Sequence, residues 1–331
     1  MTVARLLSLA ALCLATSLAH AAGFALIDVP ADRDGPALHG AVWTPCAAAP
    51  EPIDVGGMVV SGVRDCAVAG ARLPLVVVSH GTGGSFLGHH DTAEALADAG
   101  FVVAAISHPG DNYQDLSRQQ HLSAFATRPV DLRRLVDYML AGWAGHASID
   151  ADRVGVFGFS RGGYTGLVAA GAVPEFALRK DLCPPSSTFP MCEEFRRGDL
   201  PPAPVRDARV KAAVIVDPLS AFDAKGLRSV TLPLQLWASE FGGDGVTPAS
   251  VTALRRDLPV APDWHVATDA AHFAFLTPCP PSLADALPGL CRDKPGFDRV
   301  AFHARFNAEV VAFFKAHLAP IRAALTVITG G

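Results

Sequence analysis

The run Arg153 to Phe159 is apolar and ends in Gly158-Phe159-Ser160-Arg161-Gly162, and the segment that follows, Gly163 to Ala170, is rich in small residues. A buried strand, a Gly-x-Ser-x-Gly turn and a helix in immediate succession leave few folds open to the chain. Such a turn thrusts the serine hydroxyl out of the edge of a sheet. The flanking glycines let neighbouring backbone pass where a Cβ would clash. Ser160 is therefore the candidate nucleophile.

Short β-branched runs bounded by turn residues recur at Leu73–Ser79, Phe101–Ser107, Arg153–Phe159, Val210–Asp217, Leu232–Ser239 and Trp264–Thr268. They predict buried strands of one mostly parallel sheet. Helical patterns alternate with them. Asp91 with Glu94 three residues on predicts a capping box, and Gly100 closes that helix. Leu132, Leu135, Val136, Met139, Leu140 and Trp143 fall on one helical face, as do Phe302, Phe306, Val310, Phe313 and Phe314 in a final helix. With 50% hydrophobic and 18% charged residues, a large core is available. The expected class is α/β, with one continuous sheet, helices on both faces and a single domain over residues 22–331. Residues from about Val173 to Asp207 break the rhythm, being rich in proline and charge and clipped by Cys183 and Cys192. This insertion reads either as a lid over the catalytic edge or as a stabilised surface loop. Its charges, Arg179, Lys180, Asp181, Glu193, Glu194, Arg196 and Arg197, predict little apolar surface and a preference for short acyl groups.

Arg5, the apolar run Leu6 to Leu18 and the small-x-small triplet Ala19-His20-Ala21 predict an export signal over residues 1–21, with the mature chain starting near Ala22. An uncleaved anchor or a buried first helix is the competing reading. The apolar run is too short to span a bilayer, and no later run is long enough, so no integral membrane segment is expected in the mature chain. Loss of Arg5 takes the formal charge from −5 to −6. No basic stripe invites nucleic acid. Loss of Cys13 leaves six cysteines, an even number that favours disulfides in an exported chain. They lie as three close pairs in sequence, which predicts Cys46–Cys66, Cys183–Cys192 and Cys279–Cys291. No Cys-x-x-Cys occurs, and His89-His90-Asp91 lacks a third ligand at helical spacing, so no metal is expected.

His80-Gly81-Thr82-Gly83-Gly84 directly follows the strand Leu73–Ser79. Acyl transfer builds negative charge on a carbonyl oxygen, and preorganised backbone N–H groups stabilise it. The candidate donors are Thr82 N–H and Arg161 N–H. A serine needs a base. His272 follows the last expected strand and precedes the final helix, whereas His265, His303 and His317 fall in positions that suit packing or surface roles. For the acid, Asp244 in the glycine-rich loop after Leu232–Ser239 is favoured. Asp217, at the end of the preceding strand, is the alternative, and Glu240 is a third.

On these residues the chain resembles the platelet-activating-factor acetylhydrolase and dienelactone-hydrolase-like branch of the α/β hydrolases, especially its bacterial exported members. The resemblance rests on His80-Gly81-Thr82-Gly83, His108-Pro109-Gly110-Asp111, Asp150 to Gly163, Ala271-His272-Phe273 with Cys279 after it, and Asp298 to His303. It implies an α/β-hydrolase fold, Ser160 as nucleophile, His272 as base and hydrolysis of small acyl esters or lactones. Dienelactone hydrolases proper use cysteine where this chain has Ser160. Acetylhydrolases of this branch can take the acid from the earlier strand, which is the position of Asp217. The expected chemistry is two-step acyl transfer on a small-molecule ester, without a cofactor. A secreted serine peptidase on the same scaffold and a catalytically silent binding protein are the other classes open to the sequence.

Overall fold

The computed structural model describes residues 21–176, 183, 185–202, 204 and 206–320. The expected export signal, apart from Ala21, and the insertion charges Arg179, Lys180 and Asp181 lie outside the described residues. Ten strands form one sheet: β1 (Ala21–Val29), β2 (Leu38–Cys46), β3 (Glu51–Val55), β4 (Met58–Arg64), β5 (Leu73–Ser79), β6 (Val102–Ser107), β7 (Ile149–Phe159), β8 (Val210–Val216), β9 (Leu234–Ser239) and β10 (Asp263–Ala267). Their spatial order is β10-β9-β8-β7-β5-β6-β2-β1-β4-β3. Strands β5 to β10 pair in parallel, and β2 runs antiparallel to both β6 and β1. The helices are α1 (His90–Asp98), α2 (Leu122–Asp137), α3 (Arg161–Ala169), α4 (Pro190–Arg197), α5 (Ala224–Leu227), α6 (Pro248–Asp257), α7 (Pro281–Ala286), α8 (Pro288–Cys291) and α9 (Arg299–His317).

The parallel strands read as unbroken apolar runs because both faces of the sheet are covered. Val76, Val78, Phe157, Phe159 and Val214 turn to one face and pack with Leu96 of α1 and Phe306 and Phe314 of α9. Their neighbours Val77 and Val156 turn to the other, against Leu132 and Leu135 of α2. Ala213 and Ile215 join Leu167 of α3 and Leu254 of α6 on that second face. The expected α/β class, mostly parallel sheet and covering helices are all present.

Four strands lie outside the expected set. Strands β1 to β4 extend the sheet beyond β6, and the hairpin of β3 and β4 turns on Gly56 and Gly57, both at positive φ (64° and 88°). The capping box at Asp91 does not form. The N-cap of α1 is His89, with no side-chain cap. Asp91 instead accepts from Thr277 Oγ1 (2.5 Å), His303 Nδ1 (2.6 Å) and Asn307 Nδ2 (2.8 Å), fastening α1 to α9. Three carboxylate bonds to distant partners outcompete one local cap. Helix α2 begins at Leu122, earlier than its apolar stripe predicts, and contains Pro129. The disulfides Cys46–Cys66, Cys183–Cys192 and Cys279–Cys291 form as the spacing predicts. Among the described residues no helix is long and apolar enough to cross a membrane.

Candidate active site

Ser160 sits between β7 and α3 at φ 56° and ψ −119°, a region non-glycine residues rarely occupy. The turn is held on both sides: Ser160 N–H donates to Val216 O (2.9 Å), and Ser160 O accepts from Leu219 N–H (3.0 Å). A Cβ on Gly162 would overlap the Ser79 carbonyl, and one on Gly158 would overlap the Gly162 carbonyl, so both glycines of the motif are sterically required.

His272 opens a short 3₁₀ turn after β10. Its Nδ1 donates to Asp217 Oδ2 at 2.6 Å. Asp217, at the end of β8, also accepts from Ser239 N–H (2.9 Å) and Ser239 Oγ (2.7 Å). The carboxylate that meets the histidine is therefore Asp217, and the favoured expectation of Asp244 is corrected. Asp244 is exposed, and among the described residues no hydrogen bond or ion pair joins it to His272. Its loop holds the histidine by backbone instead, with His272 N–H donating to Gly242 O (2.9 Å). Glu240 accepts from Asp269 N–H (2.7 Å) and does not reach the ring. Phe159, the residue before Ser160, stacks on the imidazole with ring centroids 4.6 Å apart. With Nδ1–H committed to Asp217, Nε2 carries the free lone pair, and that atom is buried without a protein partner.

The loop after β5 is braced from two directions. Asp111 accepts from Gly83 N–H (3.1 Å) and from Arg161 Nη1 (2.8 Å). Arg128 Nη2 donates to the carbonyls of His80 (2.8 Å) and Gly81 (3.2 Å). Burial holds the Arg128 guanidinium down to about 10, partly offset by the Asp111 charge. Gly83 N–H goes to Asp111 and Gly84 N–H to Gly81 O, whereas Thr82 N–H has no backbone partner among the described residues. Arg161 N–H belongs to the first turn of α3, where no carbonyl four residues back is available. Both expected donors are thus free backbone N–H groups beside the turn. Sequence reasoning did not single out Asp111 and Arg128 for this bracing. Asp111 was within reach, because it ends the His108-Pro109-Gly110-Asp111 motif, whereas Arg128 lies inside a helix without any local signature.

A second Ser–His–Asp chain lies close by. Ser79 Oγ and His108 Nε2 are 2.9 Å apart, and His108 Nδ1 is 3.1 Å from Asp131 Oδ2. Burial, then the Arg128 charge, keeps His108 well below the usual imidazole range, and burial pushes Asp131 up to about 7. Neighbouring His80 accepts from His108 N–H at Nε2 (3.0 Å), so its Nδ1 carries the proton given to Gly81 O (2.6 Å). Burial, then Arg128, holds His80 well below its ordinary value as well. His89 lies between the rings of Phe157 and Phe159, at 5.2 Å from each, and burial lowers it to about 4. His265 stacks on Trp237 and His317 packs against Phe313.

No protein-family model matches the chain. A stretch of 107 residues is 36% identical to a probable 2-oxo-3-(5-oxofuran-2-ylidene)propanoate lactonase from Bradyrhizobium sp, covering 31% of this chain and 43% of that protein. The match thus spans less than half the length of that curated relative. The structure is similar to that of a ferulic acid esterase from Streptomyces cinnamoneus, with a TM-score of 0.64 and 21% identity over 96% of this chain and 95% of the other. The fold is that of the α/β hydrolases.

Proposed function

We propose that the chain is an exported serine hydrolase that cleaves small carboxylic esters or lactones. The observation that carries this reading is the line from Asp217 through His272 Nδ1 to a free Nε2, beside a serine held in a strained strand-to-helix turn. The names of both similar proteins, a lactonase and a ferulic acid esterase, point to the same bond class. Three disulfides suit an oxidising compartment.

His272 Nε2 takes the hydroxyl proton as Ser160 Oγ attacks the carbonyl carbon. Asp217 fixes the tautomer and balances the imidazolium. The developing oxyanion is met by Thr82 N–H and Arg161 N–H, donors already in place and needing no reorientation. Collapse expels the alkoxide, which receives the proton from His272. Water then repeats the sequence, releasing the acid and restoring Ser160. A fluorophosphonate probe is expected to label the protein at Ser160 and to block hydrolysis of a small ester such as methyl acetate. Labelling elsewhere, or hydrolysis that survives complete labelling, overturns the reading.

A further inference from the structure

A cavity opens beside the elbow, between the first turn of α2, the loop after β8 and helix α4 of the insertion. Its walls are Leu122, Phe125, Phe176, Met191, Phe195 and Leu219, around an empty volume of about 420 Å³ that includes its mouth. It adjoins the elbow through two non-covalent contacts: Leu219 N–H donates to the Ser160 carbonyl (3.0 Å), and the Arg161 guanidinium lies 4.7 Å above the Phe125 ring. The charges of α4, Glu193, Glu194, Arg196 and Arg197, do not line it. Met191 and Phe195, one helical turn apart, line the cavity, while Glu193, Arg196 and Arg197 point to solvent. The insertion therefore does present an apolar surface, contrary to the expectation from its composition.

We infer that this cavity is the subsite for a compact apolar ring of the substrate, so that aryl-bearing esters are favoured over straight-chain esters of equal carbon number. The inference rests on the reading of Ser160 as nucleophile. The α4 wall is fixed in place. Met191 N–H donates to Gln120 O (2.8 Å), and Glu194 accepts from Leu122 N–H (2.7 Å) and His121 Nδ1 (2.6 Å). The Cys183–Cys192 bridge closes the segment leading into that wall. A preformed, walled site discriminates by rotor entropy, because an alkyl chain must freeze several bonds to enter it and a planar ring almost none. Phe125 and Phe176 already meet edge to face, at 72° and 5.6 Å, and Met191 adds a polarisable thioether. Aromatic guests gain from such neighbours beyond their buried area.

The test measures kcat/KM by proton release on two matched pairs. Benzyl acetate against heptyl acetate places the ring on the alcohol side, and methyl 3-phenylpropanoate against methyl nonanoate places it on the acyl side. In one of the pairs the ring ester is expected to lead by about tenfold, the scale at which apolar pockets discriminate. Phe195→Ala should erode that ratio, and Phe195→Trp, which fills the cavity, should abolish it. Met191→Trp fills the same space should the Phe195 variants fail to fold, with thermal melts checking each. Equal or inverted ratios in both pairs, or a ratio untouched by filling the cavity, overturn the inference while Ser160-dependent hydrolysis persists. Absence of any Ser160-dependent hydrolysis refutes the underlying function instead.

Discussion

Two Ser, His and Asp sets lie side by side at the carboxyl edge of the sheet, close enough that a Cβ on Gly162 of the elbow would strike the Ser79 carbonyl; Ser79, His108 and Asp131 are bonded throughout, whereas in the other set only His272 and Asp217 are. Exposure does not separate them, since Ser160 is 2% exposed and Ser79 0%. Three other things do. Ser79 ends a regular strand, whereas Ser160 occupies a strained turn. The Nε2 of His108 is engaged by Ser79 Oγ, while that of His272 is unpartnered. Thr82 N–H and Arg161 N–H flank the elbow, and Arg161 is the residue next to Ser160. Residue types and hydrogen bonds alone therefore do not make a hydrolase site. Backbone strain, a free lone pair and unpartnered donors distinguish the set proposed as reactive from the one bonded throughout.

The sharpest way to break this contrast is to truncate both serines. Ser160→Ala should lower kcat by about a million-fold, as for the nucleophile of a well-studied serine protease. Ser79→Ala should leave kcat within a few-fold and lower stability by about 1–3 kcal/mol, because it leaves His108 Nε2 unpaired in a buried site. Equal losses of turnover would mean that the two chains work as one. Next in size is the acid. Asp217→Asn is expected to cost about ten-thousandfold in kcat on a small ester. Asp244→Asn, tested in parallel with a check on folding, should stay near wild type. The reverse ranking would return the role to the loop after β9.

Asp111→Asn should act through geometry. It loosens the grip on Gly83 N–H and on Arg161 at once, and about a hundredfold loss in kcat with little change in KM is expected, the scale of one oxyanion donor. A loss confined to thermal stability would leave Asp111 a purely structural group. The smallest effect concerns pH. Asp131 binds its proton more tightly folded, near 7, than unfolded, near 3.8. Its stabilising contribution is present at pH 4 and declines as pH rises through about 7. Asp131→Asn, which cannot ionise, should therefore gain stability relative to wild type across that window in urea midpoints, with the pH profile of kcat unchanged.

The parallel core was legible because its strands are buried on both faces, which leaves an unmistakable apolar run in sequence. The elbow was legible because strand, Gly-x-Ser-x-Gly turn and helix follow one another in a single stretch; the Gly158 contact, with the Gly162 carbonyl, is local, whereas Gly162 is demanded by the distant Ser79 carbonyl. Of the strands that were missed, β3 and β4 are short and half exposed, and β2 opens the antiparallel extension beside β6, although Gly56-Gly57 between β-branched segments was a hairpin signal. The acid was the hardest to place. Both Asp217 and Asp244 follow strands that neighbour the histidine loop, and only the register of β8 beside β9 brings Asp217 against Ser239 and His272. Composition misjudged the insertion because it ignores which side of α4 a charge occupies.

That the histidine is seated by the Gly242 carbonyl, while its acid stands on a strand end, has a consequence for how a lineage of such chains can change. A carbonyl is offered by every residue type, but Gly242 and Gly243 stand at positive φ (65° and 142°), where a Cβ would meet Val246 O and His272, so the latitude of this rim lies in its exposed positions Phe241 and Asp244. Drift there can alter the charge and bulk that an approaching molecule first meets, and leave the Asp217–His272 bond beneath it intact. Position 217 has no such latitude, because its side chain serves His272 and Ser239 together. Novelty in this architecture is thus channelled to the rim, while the strand end stays fixed.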